Sequence, residues 1–182
     1  MIPFPDKKYN IIYADPPWSY ADKKNNDPTM GGITYPTMSL DEIKGLPLQD
    51  ICDKDCALAM WATMPLLREA LEVIDAWGFK YTTCLFNWVK LNPKGVGIYS
   101  GMGHWVNGNA ELCLFGKKGK PNRAVKNVKQ IQMHPRGRHS AKPPEIRDEV
   151  VRLFGDIPRI ELFARDKSDG WDCWGNEIKV SQ

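Results

Sequence analysis

The sequence lacks the features that define several classes of protein. Its longest uncharged apolar run, residues 56–67, has about a dozen residues and contains Pro65, whereas a membrane-spanning helix needs about 20. The N-terminus has no basic segment followed by an apolar one, so no secretory signal is predicted. With 42% hydrophobic residues and no Gly-X-Y or low-complexity bias, neither disorder nor a fibre is expected.

Cysteine is sparse, with five residues in 182. Only Cys52 and Cys56 lie close together, and no second Cys or His pair follows at zinc-finger spacing. We therefore expect free thiols in a reducing compartment, and no metal. The sequence predicts one domain, residues 1–182, in the cytoplasm.

Acidic residues are missing from one long segment. Between residues 112 and 144 there are nine Lys and Arg residues and no Asp or Glu, although the net charge of the chain is only +3. A solvated loop would explain such a segment. An uninterrupted run of like charge favours a polyanionic partner instead, so we expect nucleic acid.

Apolar runs predict strands that alternate with helices. Strands are predicted at 9–14, 57–62, 79–89, 111–115 and 159–164, and helices from Ser39, over 64–77 and over 144–153. This alternation indicates an α/β fold with a doubly wound, mostly parallel sheet. Ligands of such sheets bind outside the carboxyl ends of the strands, so chemistry is expected just after residues 14, 62, 89 and 164.

The tetrapeptide Asp15-Pro16-Pro17-Trp18 follows the first predicted strand. Methylation of an exocyclic amine needs hydrogen-bond acceptors that localise the nitrogen lone pair and aim it at the methyl donor. The Asp15 carboxylate and the rigid Pro16 carbonyl can accept the two N–H groups, and Trp18 offers a flat surface for the base. Alone, the motif would also suit an ordinary strand-ending turn.

Together with other blocks, this motif resembles the D-P-P-W type N6-adenine methyltransferases. That family includes the mRNA adenosine methyltransferase catalytic subunit and many bacterial and phage DNA methyltransferases. The resemblance runs from Tyr9 to Glu177. Besides residues 15–18, the matching blocks are 35–38, 88–90, 103–105, 111–114, 138–143, 160–165 and 174–177. Pro144 and Ala141 depart from the common family pattern, without removing a proposed catalytic group.

The resemblance implies a Rossmann-like S-adenosylmethionine (SAM) dependent methyltransferase fold with permuted motif order, the catalytic motif preceding the cofactor motif. It implies the catalytic residues Asp15, Pro16, Pro17 and Trp18. The implied cofactor residues are Asp15, Lys142, Phe163, Arg165, Asn176 and Glu177. The residues expected to contact substrate are Tyr35, Trp88, Lys90, Lys117, Lys118, Arg136 and Arg138. Tyr35 would stack on an extruded adenine or pack beneath its loop, and Trp88 would line the base pocket or belong to the core.

The expected activity is SAM-dependent methylation of the adenine N6 amino group in DNA. The alternatives are the same reaction on RNA and a catalytically silent nucleic-acid-binding subunit. DNA is favoured because no RNA-binding module is recognisable, and loops 91–108 and 117–140 would read a short target. No metal or membrane is expected to take part, and the sequence leaves open whether the protein forms a dimer.

Overall fold

The computed structural model describes residues 2–19, 36–103, 105–137, 141–176 and 178. Three of the predicted site residues, Tyr35, Arg138 and Glu177, lie outside the described part of the chain. The remaining predicted site residues all fall within it.

A seven-stranded sheet forms the centre of the described structure. Its strands are β1 (Tyr9–Ala14), β2 (Cys52–Ala62), β3 (Lys80–Leu91), β4 (Ala110–Lys118), β5 (Ile131–Pro135), β6 (Arg159–Leu162) and β7 (Asp172–Trp174). Their order is β5-β3-β4-β2-β1-β6-β7. β4 runs antiparallel to both of its neighbours, and every other neighbouring pair is parallel.

Among the described residues, three α-helices cover the two faces of the sheet: α1 (Leu40–Lys44), α2 (Leu67–Ala76) and α3 (Pro144–Phe154). Alternate residues of the strands point to opposite faces. In β1, Ile12 and Ala14 therefore join the core beneath α1 and α2, while Ile11 and Tyr13 join the core beneath α3. Helices on both faces of one sheet confirm the predicted α/β class.

Sequence signals fix the ends of the helices and the position of α3. Ser39 caps α1 in a capping box: its hydroxyl accepts from the Glu42 backbone N–H, and the Glu42 carboxylate accepts from the Ser39 backbone N–H. α2 ends just before Gly78, whose φ of 78° favours glycine. Arg147 of α3 donates to both carboxylate oxygens of Glu161 on β6, at 2.9 and 2.8 Å, and ties this helix to the sheet.

The structure differs from the sequence prediction at several strands. β5 and β7 are not predicted, because each is short and lies in a polar or glycine-rich segment that has no clear two-residue alternation. β2 begins at Cys52, where charged residues 53–55 precede its buried part. The strand predicted over 159–164 ends at Leu162, because Phe163 adopts a φ of 60° and turns the chain away.

All five cysteines are free thiols. Within the described ranges, no group of His, Cys, Asp and Glu side chains could hold a metal ion. No helix among the same residues is long and apolar enough to cross a membrane.

Candidate active site

The candidate site lies at the carboxyl ends of the central parallel strands. The register pairs Ala14 of β1 with Leu162 of β6 on one side and with Met60 of β2 on the other. The residues that follow Ala14 and Leu162, namely Asp15 and Phe163, therefore leave the sheet side by side. This is the edge where open α/β sheets bind their ligands.

Asp15 belongs to a chain of four alternating charges at this edge. Lys142 Nζ lies 2.6 Å from Asp15 Oδ2 and 3.4 Å from Glu111 Oε2. The other oxygen of Glu111 accepts a short hydrogen bond from Lys90. The side chains of Lys142, Glu111 and Asp15 are only 10, 18 and 28% exposed, so these ion pairs are poorly screened by water.

Burial and neighbouring charges set the protonation of this network. Burial raises the pKa of Asp15 above its ordinary value, and the adjacent Lys142 only partly offsets the effect. Burial alone would raise the pKa of Glu111, but Lys142 and Lys90 bring it below the usual range. The pKa of Lys142 is raised because its two carboxylate neighbours outweigh its burial. Lys142 therefore remains charged at neutral pH.

The turn after Asp15 is held by backbone hydrogen bonds. The Pro16 carbonyl accepts from the Trp18 N–H at 2.8 Å, and the Pro17 carbonyl accepts from the Met38 N–H at 3.0 Å. Trp18 is buried in the core beneath α1 and α2, where its indole N–H donates to the Trp61 carbonyl at 3.3 Å. Trp18 thus fixes the turn from within the core. Its ring is not a free surface at the mouth of the site.

Two tryptophans form an aromatic wall beside the charged network. The Trp61 and Trp88 rings meet edge to face with centroids 6.1 Å apart. Lys142 Nζ lies 5.3 Å from the Trp61 ring centroid, and Lys90 Nζ lies 5.2 Å from that of Trp88. Trp88 is fully buried, as the core interpretation of this residue requires. Tyr13 accepts a 2.6 Å hydrogen bond from the Trp61 indole and fixes that ring.

A tight backbone crossing lies beside Asp15, at the ends of β6 and β7. The Ala164 N–H donates to the Trp174 carbonyl at 3.0 Å. A Cβ atom at Gly175 would sit 2.2 Å from the Ala164 carbonyl oxygen, so only glycine fits there. The Phe163 ring packs edge to face on Trp174, and Asn176 is exposed just beyond. Arg165 is close enough to Asp15 to lower the pKa of that carboxyl.

The predicted substrate residues divide between two opposite edges of the sheet. Lys90 lies at the candidate site through its contact with Glu111. Arg136 follows β5, the outermost strand, at the same end of the sheet, and its guanidinium stacks 4.1 Å from the Tyr99 ring centroid. Lys117 and Lys118 lie at the far end of the antiparallel β4, about 20 Å along the strand from Glu111. The structure therefore does not bring these two lysines to the edge that carries Asp15.

Sequence reasoning assigns no role to Glu111 or Trp61, although both contact the network. Glu111 stands in one of the motif blocks, directly before the apolar residues of β4. A lone carboxylate at the start of a predicted strand is a usable signal only when the direction of that strand is known. β4 runs antiparallel to its neighbours, and this direction brings the start of the strand to the ligand edge.

The fold and the site together define an α/β domain of the methyltransferase class that the motifs resemble. Comparison with known proteins identifies the family: the chain belongs to the MT-A70 family, whose model matches residues 9–177. The protein is therefore an enzyme of the methyltransferase type. Its cofactor is SAM, the methyl donor that MT-A70 methyltransferases use.

Relatives of different length share this domain. The chain is 36% identical to the Type II methyltransferase M.MunI of Mycoplasma sp. over 194 residues, covering 96% of this chain and 79% of that protein. It is 30% identical to an N(6)-adenosine-methyltransferase MT-A70-like protein of Drosophila melanogaster, and 29% identical to the human catalytic subunit METTL3. It covers 27% and 28% of these two longer proteins.

The residues at this edge fit the chemistry of SAM. The molecule carries a nucleoside, an amino acid head group and a cationic sulfur. At this edge Phe163 turns the chain with a φ of 60°, and Gly175 lets the end of β7 pack directly against the backbone of Ala164. The Asp15 side chain is partly exposed, so its carboxylate can accept a hydrogen bond from a cationic or amino group at this edge.

Proposed function

We propose that this protein transfers the methyl group of SAM to the N6 amino group of adenine in DNA. The observation that carries the proposal is the position of Asp15. Its carboxylate emerges at the carboxyl end of the central strand β1, is held by Lys142 at 2.6 Å, and stands next to Phe163, the residue that directly follows the neighbouring strand β6. Asp15 is thus adjacent to the turn at Phe163 and shares Lys142 with the buried Trp61 ring.

The chemical role of Asp15 follows from the weakness of the amine. The adenine amino group is conjugated with its ring, so its lone pair is a poor nucleophile. When bound, SAM supplies an electrophilic methyl group on a positively charged sulfur. Asp15 accepts one amino N–H and the Pro16 carbonyl accepts the other through its second lone pair. The two acceptors would hold the amino nitrogen with its lone pair directed at the methyl group that bound SAM would supply.

The proton balance needs no strong base. Methyl transfer makes the amino nitrogen cationic, which lowers its pKa steeply, and the proton then passes to Asp15 or to water. Lys142 favours the ionised form of Asp15, because it partly offsets the effect of burial, which raises the pKa of that carboxyl. Glu111 anchors Lys142 from the other side at 3.4 Å. We assign Glu111 and Lys142 to positioning of the carboxylate.

The cofactor would lie over the ends of β6 and β7. Phe163 and its backbone would line the nucleoside, Arg165 would contact the ribose, and Asn176 with Glu177 would bind polar edges. Lys142 forms ion pairs with Asp15 and Glu111 in this structure, so the methionine carboxylate of SAM would be a third anion on the same ammonium group. With β1 preceding β6 in the chain, the proposed catalytic motif would come before the proposed cofactor motif, as a permuted order requires.

The nucleic acid would approach along the edge that carries Asp15. Lys90 and Arg136 lie there. In the sequence, Arg138 follows Arg136 by two residues, and Tyr35 directly precedes the described segment that begins at residue 36. The exposed Arg136 supplies a cation and, stacked on Tyr99, a flat surface. The relative M.MunI is a Type II methyltransferase, whereas the MT-A70-like relatives are N(6)-adenosine methyltransferases. The former name supports DNA, and the latter supports RNA as the alternative.

The test supplies purified protein with methyl-labelled SAM and three substrates in parallel: unmethylated duplex DNA, single-stranded DNA and RNA. Each product is digested to nucleosides and identified by mass spectrometry. N6-methyldeoxyadenosine is expected. N6-methyladenosine formed with RNA, and no methylation of either DNA, would show that RNA is the substrate. SAM binding without methylation of any substrate would contradict the proposed activity for the isolated chain, and absence of SAM binding would favour a silent subunit.

A further inference from the structure

A second cavity lies away from the candidate active site. It has a volume of about 450 Å³, within the range of pockets that bind small ligands. The first half of β3, the end of β4, the C-terminal part of α3 and residues 121–130 enclose it. These parts of β3 and β4 lie toward the sheet edge opposite Asp15, so the cavity is separate from the proposed methyl-transfer site.

The walls of the cavity are fixed by hydrogen bonds. The Ala124 N–H donates to the Leu153 carbonyl at 2.7 Å and joins the segment 121–130 to α3. At the other end of the segment, the Gln130 side chain donates to the Cys84 carbonyl at 2.6 Å, and the Asn87 N–H donates to the Gln130 carbonyl at 2.9 Å. The segment is therefore held at both ends, and the space beneath it is part of the fold.

The floor of the cavity is apolar and aromatic. Phe115 and Phe154 form a tilted pair with ring centroids 5.5 Å apart, and Phe86 and Leu153 are buried beside them. Such a floor binds a flat ring by stacking and edge contacts. Thr82 and Thr83 at the rim donate their hydroxyls to backbone carbonyls, and their hydroxyl oxygens can accept from the polar edge of a heterocycle.

The rim is positively charged. Lys117 and Arg123 line it, and none of the residues that line the cavity is acidic. Within the described ranges, neither cation has an ion pair or a side-chain hydrogen bond, whereas most of the charged residues around the candidate active site are paired. Both are exposed. Two unpaired cations above an aromatic floor are complementary to a ligand with a flat ring and an anionic group.

We propose that this cavity is a second ligand site and that it binds a nucleotide, with the base on the Phe115–Phe154 floor and the phosphate between Lys117 and Arg123. The nucleotide has two sources with the same chemistry: a free mononucleotide, or an unstacked nucleotide of a nucleic acid strand that runs past the basic segment. This site goes beyond the proposed reaction, and its test needs no methyl transfer.

The test combines binding and photo-crosslinking on the full chain. The probes are 5-iodo-deoxyuridine monophosphate and a single-stranded oligonucleotide that contains one 5-iodouracil, both used with S-adenosylhomocysteine present to occupy the cofactor site. Pyrimidine probes keep adenine recognition at Asp15 out of the measurement. Calorimetry gives the affinity and stoichiometry, and mass spectrometry of the irradiated complex locates the adduct.

The expected result is saturable binding of one equivalent and an adduct on Phe115 or Phe154. The double variant K117E/R123E should bind the monophosphate at least about tenfold more weakly. The control K126E/K129E carries the same change of net charge in the same segment, outside the cavity, and should bind the monophosphate within about twofold of the unmodified protein. An adduct with the oligonucleotide alone assigns the nucleic acid strand as the source, and an adduct with the monophosphate alone assigns the free nucleotide.

Three outcomes would overturn the proposal. They are no saturable binding of either probe, an adduct outside the cavity, and equal losses in the two double variants. Equal losses would show general attraction of an anion to a basic segment. The variant Asp15→Ala should retain the binding and the adduct, because it lies at the other edge. Loss of methylation in that variant with the adduct intact separates this proposal from the proposed function.

Discussion

Replacing Lys142 by methionine should destabilise the protein in a pH-dependent manner. The ammonium group is shared by Asp15 and Glu111, at 2.6 and 3.4 Å. Removing the partner of a buried charge costs about 3–5 kcal/mol, and the partial exposure of these carboxylates places the effect nearer about 2–3 kcal/mol. For a domain of this size each kcal/mol lowers the melting temperature by about 2–4 °C, so a fall of roughly 4–12 °C is expected at neutral pH.

The sign of the pH dependence follows from proton linkage. Without Lys142 the pKa values of both carboxylates rise in the folded state, so the folded protein takes up protons more readily than the unfolded chain. The loss of stability is therefore greatest at neutral pH and shrinks as the pH falls into the range of the raised pKa values. Thermal unfolding at pH 7.5 and at pH 5 measures both the size and the direction of the change.

A surface ion pair of the same length provides the control. Lys7 lies 2.6 Å from Asp172, and both side chains are well exposed, at 52 and 43%. Lys7→Met should therefore cost no more than about 1 kcal/mol. The double variant K142M/D15N should recover part of the stability lost in Lys142→Met, because the carboxylate that loses its ammonium partner at 2.6 Å is then uncharged, whereas Glu111 keeps Lys90 as a partner. A deficit no larger than that of Lys7→Met, or one that grows toward acid pH, would refute the assignment.

Three further predictions concern the site and its edge. Glu111→Gln should move the acid limb of the methyl-transfer pH profile to lower pH, because the Glu111 charge raises the pKa of Asp15; a move to higher pH would contradict this reasoning. Gly175→Ala should lower the melting temperature and weaken SAM binding in calorimetry, because its Cβ would lie 2.2 Å from a backbone oxygen. Gly137→Ala is the control, because a Cβ atom there would have nothing within 4 Å, and it should change neither the melting temperature nor SAM binding. Equal effects of the two variants would argue against the close approach at Gly175. Arg136→Ala should weaken nucleic-acid binding and lower the salt slope by about one in a titration at several salt concentrations; an unchanged slope would place the footprint elsewhere.

Local signals in the sequence predict much of the fold correctly. Five of the six residues of the run 9–14 are apolar or aromatic and buried, all but Asn10, and β1 has those limits. The Ser39 capping box and the glycine after α2 are short-range features whose physics does not depend on the rest of the molecule. Because Asp15 directly follows β1, the tendency of α/β sheets to bind ligands at the carboxyl ends of their strands is enough to predict its position at the ligand edge.

Features that depend on strand direction are not predictable in this way. A strand of alternating residues has the same pattern whether it runs parallel or antiparallel, so nothing in residues 111–115 indicates that β4 is reversed. That reversal brings Glu111 to the site and carries Lys117 and Lys118 away from it. The predicted strand ends at residue 115, so the sequence does not indicate that Lys117 and Lys118 belong to β4. As neighbouring residues of a strand, they face opposite sides of the sheet. Lys117 lines the cavity beneath α3, and Lys118 donates to Gln49 on the other face.

The most direct test of the central claim is the single-turnover rate of methyl transfer to adenine in DNA by Asp15→Asn, compared with the unmodified protein. The substitution keeps the shape of the side chain and removes the negative charge that orients the amino group and accepts its hydrogen bond. With both proteins saturated with SAM and DNA, and with unchanged thermal stability as the check on folding, we predict a rate lower by about 10²–10⁴-fold. A rate within about threefold of the unmodified protein would contradict the account and assign the chemistry to other groups.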